Sequence, residues 1–146
     1  MQAYLIDTSV LVRFLNEDDS LHKEISLAVD RVFGDGGAIC FTPQVARETW
    51  SVLTRPRDVG GFGLTPSETS RLIDTAHKAF DYVADTSAIY DRWRMLVVSH
   101  QVSGKQAHDA YHVAAMLTHG FSRVLTLDQR DFKRYSEITA LKPSEV

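Results

Sequence analysis

Ala3-Tyr4-Leu5-Ile6-Asp7-Thr8-Ser9-Val10-Leu11 packs a change of structure into nine residues. The apolar run from Met1 to Ile6 is short and reads as a buried strand. Asp7 ends it, Thr8 or Ser9 is available to cap the next element, and Val10, Leu11, Phe14 and Leu15 then recur at helical spacing. A strand therefore passes directly into a helix, with a carboxylate at the junction, although isolated Asp normally stays in water.

The same alternation continues along the chain. A helix is expected from about Ser20 to Phe33, stopped by Gly34-Asp35-Gly36-Gly37, and a second apolar run spans Ala38 to Phe41. Thr42-Pro43 starts a helix carrying Val45, Glu48, Thr49, Val52 and Leu53, and the Gly-rich basic loop Arg55 to Gly61 after it is expected to be mobile. Thr65-Pro66-Ser67-Glu68 is a capping box for a helix with Leu72, Ile73 and Ala76 inward. A third strand is expected over Phe80 to Ala84, and Asp85-Thr86-Ser87 caps a long helix through about Val102. After a loop from Ser103 to Ala107, Asp109 lies in the opening of a helix with Ala110, Val113, Ala114 and Leu117 apolar, closed by Gly120. Strands are expected over Arg123 to Thr126, just before Asp128, and over Ile138 to Leu141. Strands alternating with helices predict an α/β fold: a three-layer α/β/α sandwich with a mainly parallel sheet, one domain over residues 1–146. Ligands in such sheets bind beyond the carboxyl ends of the strands, where Asp7 and Asp128 lie.

Composition limits the function classes. With 146 residues, 44% hydrophobic and 24% charged, and no apolar run near the roughly 20 residues of a membrane span, the chain reads as a globular protein without membrane segments. Nothing marks the N-terminus for export, and the lone Cys40 agrees with a reducing compartment, so a cytoplasmic location is expected. A net charge of −3 is unlike that of a phosphate-tracking binder, which is usually basic. Attraction for nucleic acid would have to be local, with Arg47, Arg55, Arg57, Lys105, Arg130, Lys133 and Arg134 as candidates.

Asp7, Glu48, Asp109 and Asp128 all sit at strand ends, helix starts or helix faces. Each has an ordinary reading: a cap, a solvated helix position, a first-turn charge, a turn former. Glu48 is tipped inward by Val45 and Val52, its neighbours at i−3 and i+4. Brought together, such carboxylates repel unless protonated or bound to a cation, and a hard divalent ion with oxygen ligands answers that need. The pattern points to a metal-dependent hydrolase.

Four segments occur in an order that resembles the PIN-domain ribonucleases, of the kind found as the toxin half of type II VapBC toxin–antitoxin pairs. They are Tyr4-Leu5-Ile6-Asp7-Thr8-Ser9-Val10-Leu11, Pro43-Gln44-Val45-Ala46-Arg47-Glu48, Lys105-Gln106-Ala107-His108-Asp109-Ala110 and Leu125-Thr126-Leu127-Asp128-Gln129-Arg130-Asp131-Phe132. The resemblance implies that Asp7 is the central ligand for Mg²⁺ or Mn²⁺, with Glu48 and Asp109 beside it. Asp128 holds the usual place of the fourth acid, and Asp131 is a second candidate. Thr8, Ser9 and Thr126 match hydroxyl residues near the family's site. The implied activity is hydrolysis of RNA by water, the ions lowering the water's pKa and neutralising the transition state. The implied partners are an RNA substrate, a second copy of the chain, and a small VapB-like antitoxin whose C-terminal segment lies across the acidic groove.

Other readings compete. His108 and His112 form His-Asp-x-x-His, as in a zinc metalloprotease with Asp in place of Glu, but no third ligand follows. His112 is expected instead to be a half-buried polar tip. An aspartate-nucleophile phosphatase also places an Asp after its first strand, but Ser9 stands where its second Asp belongs. A binding protein with a silent site is the alternative outside enzymology. Trp50, Trp93, Phe62, Tyr90 and Met95 are expected to be mostly core, with some at an interface.

Overall fold

The computed structural model describes residues 2–146; Met1, at the start of the first expected strand, lies outside the described residues. Five strands, β1 (Ala3–Ile6), β2 (Ala38–Phe41), β3 (Asp81–Tyr82), β4 (Arg123–Leu125) and β5 (Thr139–Leu141), form one sheet in the order β3-β2-β1-β4-β5. Every neighbouring pair is parallel. The central strands are buried on both faces, which is why they read as unbroken apolar runs rather than alternating ones. β1 is in register with both neighbours, Leu5 facing Cys40 on β2 and Val124 on β4.

Six α-helices complete an α/β/α sandwich: α1 (Thr8–Leu15), α2 (His22–Gly34), α3 (Pro43–Thr54), α4 (Pro66–Ala79), α5 (Ser87–Ser99) and α6 (Gln106–Thr118). α1 packs on α2 and α3, α3 on α4, and α5 on α6. The core joins Leu5, Ile6, Leu11, Phe41, Val113 and Leu125, all fully buried. Each such side chain stabilises the fold by about 1.5–3 kcal/mol relative to exposure.

Several local expectations are corrected. Asp7, not Thr8 or Ser9, caps α1: its Oδ1 accepts the Thr8 backbone N–H at 2.9 Å. The basic loop after α3 is tied down, with Phe62, Gly63 and Leu64 donating to the carbonyls of Val52, Arg55 and Leu53. Gly61 is required there, because a Cβ would stand 2.0 Å from the Arg55 carbonyl oxygen. The third strand shrinks to Asp81–Tyr82. Thr86 is positioned as the cap of α5 but its side chain makes no capping bond, and the helix ends at Ser99 rather than Val102. Of the aromatic and apolar residues expected in the core, Trp50, Tyr90 and Met95 are exposed, at 39%, 49% and 73%, while Phe62 and Trp93 pack against the core from its edge.

Chain order in the sheet reverses at β1. The chain passes from β1 outward to β2 and β3, then returns to add β4 and β5 on the other side. The carboxyl ends of β1 and β4 therefore flank a crevice, the place where open α/β sheets bind ligands. Asp7 and Thr126 are the residues that follow those two strands.

Candidate metal centre

The Asp7 backbone N–H donates to the Leu125 carbonyl at 3.0 Å, continuing the sheet one residue past β1. This fixes the carboxylate at the crevice. Oδ2 of Asp7 accepts the hydroxyls of Thr126 at 2.7 Å and Ser9 at 3.3 Å. Ser9 in turn accepts the Leu127 N–H, and Thr126 accepts the Asp128 N–H, so the segment after β4 is tied to the start of α1. Capping and site-building are thus one role for Asp7.

Glu48 reaches the same place from α3. Its Oε1 accepts the Thr8 hydroxyl at 2.8 Å and faces His112 Nε2 at 3.1 Å, and its Oε2 accepts from Gln44 Nε2 at 3.1 Å. Asp7 and Glu48 each use three of about four acceptor directions, which leaves each one free for a further ligand. Asp7, Glu48 and His112 form a group whose ligand atoms all lie within 4.8 Å of one another.

His112 corrects the expectation of a half-buried tip. It is 2% exposed, on the face of α6 that also carries Asp109 three residues earlier. Burial opposes its charge, but the hydrogen bond to Glu48 and the charges of Asp7, Glu48 and Asp109 outweigh that and raise its pKa. The partner shift has the opposite sign. Burial pushes Glu48 upward, yet its bonds to His112, Thr8 and Gln44 hold it at about 2. Gln44 and His112 escaped sequence reasoning as site residues, although Gln44 is at i−4 from Glu48 and His112 at i+3 from Asp109, spacings that share a helix face.

Asp109, in the first turn of α6, is half-buried and raised to about 6 by burial and by the negative charges of Asp131, Asp7 and Glu48, against the opposing pull of His112. Asp131 is the charge that bears most on Asp109; Asp128 bears on Asp131 instead. Burial and the charges of Asp128 and Asp7 raise Asp131 as well, against Arg130. Asp128 precedes a short 3-10 turn, Gln129–Phe132, that contains Asp131, and both acids are exposed. Among the described residues no Lys or Arg pairs with any of these acids; the one ion pair is His112 with Glu48. Carboxylate oxygens that converge and repel, with no Lys or Arg paired to them, fit a hard divalent ion.

The basic candidates separate by position. Arg47 lies one residue before Glu48 beside a cleft, Lys105 precedes α6, and Arg130 sits next to Asp131. Arg55 and Arg57 lie past the end of α3, about two turns beyond Glu48. His108 does not join His112 in a ligand group, and Ser9 donates to Asp7 rather than acting beside it as an acid.

The family model for the PIN domain matches residues 4–138. The chain belongs to the PIN domain family. Solved structures of the same architecture include VapBC2 from Rickettsia felis, bound to a DNA fragment from its promoter, at TM-score 0.71 and 10% identity over 97% of this chain and 98% of that one. VapC20 of Mycobacterium tuberculosis, a toxin that cleaves the sarcin-ricin loop, matches at TM-score 0.64 and 16% identity over 90% and 95%. A toxin–antitoxin complex from Klebsiella pneumoniae matches at TM-score 0.62 and 17% identity over 98% and 99%. No curated protein matches the chain. At these identities the likeness establishes the PIN fold. Among the described residues no helix is long and apolar enough to cross a membrane.

Proposed function

We propose that this PIN domain is a divalent-metal-dependent endoribonuclease and the toxin of a toxin–antitoxin pair. The observation that carries the reading is the convergence of Asp7 and Glu48 at the sheet's switch point, with Asp109 nearby raised to about 6 by burial and by the charges of Asp131, Asp7 and Glu48. Asp7, Asp109 and Glu48 would hold Mg²⁺ or Mn²⁺, with Asp131 or Asp128 completing the set. When bound, the ion activates water and neutralises charge on the phosphoryl group. The protein's part is orientation: Thr126, Ser9 and the Thr8 N–H fix Asp7, while Thr8, Gln44 and His112 fix Glu48. Water attacks the phosphodiester, the 3′-oxygen leaves, and the downstream fragment carries a 5′-phosphate. No side-chain nucleophile is needed.

The toxin role is supported by neighbours that include VapBC or VapC proteins of Rickettsia felis, Mycobacterium tuberculosis and Salmonella typhimurium, matched over nearly their full length. An acidic groove suits a basic inhibitory segment of an antitoxin at least as well as it suits RNA. A homodimer and a cytoplasmic setting belong to the same proposal. Two results test it: fragments of total bacterial RNA should carry 5′-phosphates, and expression without the neighbouring small protein should arrest growth. 2′,3′-Cyclic phosphate ends would contradict the hydrolytic mechanism, and harmless expression of an active enzyme would contradict the toxin role.

A further inference from the structure

A cleft of about 400 Å³ opens directly beside the metal centre, and Glu48 lines both. Its walls come from three helices. Gln44 and Arg47 face it from α3, Trp93 from α5, and Tyr111 from α6, with Asp85 at the approach to α5. Trp93 and Tyr111 are ring neighbours, centroids 6.1 Å apart. The Trp93 indole N–H is already spent on the Ala107 carbonyl at 2.8 Å, which leaves its aromatic surface rather than its donor for a ligand.

The polar groups are of both signs. Asp85 and Arg47 line the cleft along with Tyr111, a carboxylate and a guanidinium beside a phenol. They make no ion pair with each other among the described residues. Gln44 is 5% exposed; its Nε2 is spent on Glu48 and the His108 carbonyl, but its Oε1 is buried with no donor.

We infer that this cleft seats an unstacked nucleobase of single-stranded RNA next to the phosphate held at the metal centre. The inference rests on the nuclease reading and adds to it the element that selects the cleavage site. A base is flat, presents a π-face to Trp93 and Tyr111, and carries N–H donors and carbonyl acceptors on one edge, matching Asp85 and Arg47. Recognition of RNA by splaying out single-stranded bases onto aromatic side chains uses these same parts. A paired base could not enter, so the cleft would direct cutting to loops and unpaired segments.

Trp50 and Trp93 are the chain's two tryptophans, so a Trp50→Phe background makes Trp93 the sole indole reporter. In that background, with Ca²⁺, an unstructured oligoribonucleotide should change Trp93 fluorescence, and the same backbone with abasic riboses should not. Tyr111→Leu should weaken binding of the base-bearing oligonucleotide about 5- to 150-fold, the range of one lost stacking contact, and Arg47→Ala should weaken it as well. In cleavage of total RNA, those variants should raise KM and blur the sequence at the mapped cut sites. Equal fluorescence responses to base-bearing and abasic strands, or none while anisotropy shows the RNA bound, would overturn the inference. A response to basic peptides alone would also overturn it, giving the cleft to a protein partner. RNA that fails to bind wild type by anisotropy would instead defeat the nuclease reading, and this proposal with it.

Discussion

Asp109 shows how a carboxylate carries a functional signal that its position alone does not. Its ordinary value is 3.8 and its folded value about 6, so between these the folded chain keeps a proton that the unfolded chain has released. Metal-free stability therefore falls as pH rises from about 4 to about 6. The Asp109→Asn variant should remove this slope, raise the metal-free stability at pH 7 by about 1 kcal/mol after allowance for solvent screening, and abolish metal binding. Denaturant unfolding with and without Mn²⁺ checks all three. The Glu48–His112 pair behaves oppositely at each end. Glu48 is depressed to about 2, so its contribution is complete above 4.5 and is lost as pH falls from there through about 2. His112 is raised, so its contribution is complete below 6.5 and is lost as pH rises through its folded value. His112→Phe should cost about 2–3 kcal/mol, because Glu48 loses its charged partner, and should lower metal affinity by freeing the Glu48 rotamer. Unaltered unfolding and unaltered metal binding in that variant would contradict the positioning role. Asp7 and Glu48, which the fold brings together, were legible in the sequence because buried apolar segments made them conspicuous. Gln44 and His112 were not, since an amide and an imidazole beside apolar residues have many ordinary explanations.

Two helix starts were readable and one helix end was not, for a local reason. Thr42 and Thr65 each accept a backbone N–H three residues on, at 3.2 and 3.1 Å, and each is followed by Pro. That chemistry lies within four residues and shows in the sequence. The end of α5 has no such marker. Gln101 and Val102 donate to the carbonyls of Val98 and Val97, closing the helix with Gln101 at φ 50°. Gly120 holds the matching place after α6, at φ 85°, and was recognised because Gly favours this conformation. At position 101 Gln disguises the stop, and the apolar Val102 extends the helical pattern past it. Gln101→Gly should stabilise the fold by roughly 0.5–1 kcal/mol, the left-handed penalty less the added freedom of the unfolded chain. The shift in thermal midpoint reads this directly, and a loss of stability would contradict the capping account.

Across the sheet and its two helical layers, what could be read was the alternation and what could not was the pairing. Parallel strands follow from buried apolar runs joined by helices, but the order β3-β2-β1-β4-β5 depends on contacts between residues far apart in sequence. Ser9, Thr126 and Asp7 meet only because β1 and β4 are neighbours. Exposed Trp50, Tyr90 and Met95 were misplaced for a related reason: helical spacing marks a face, and tertiary packing decides whether that face is covered. The same arrangement makes the acidic crevice costly without a cation, so Mg²⁺ or Mn²⁺ should raise the thermal midpoint, by about 2.7 kcal/mol in stability at a hundredfold excess over Kd. The most direct test is cleavage of total RNA by the purified protein in Mg²⁺, Mn²⁺ or EDTA, wild type beside Asp7→Asn. Discrete fragments that require the divalent ion and vanish in EDTA and in the variant are the expected result. Cleavage that survives EDTA, or that Asp7→Asn performs equally well, would contradict the acidic metal centre as the seat of activity.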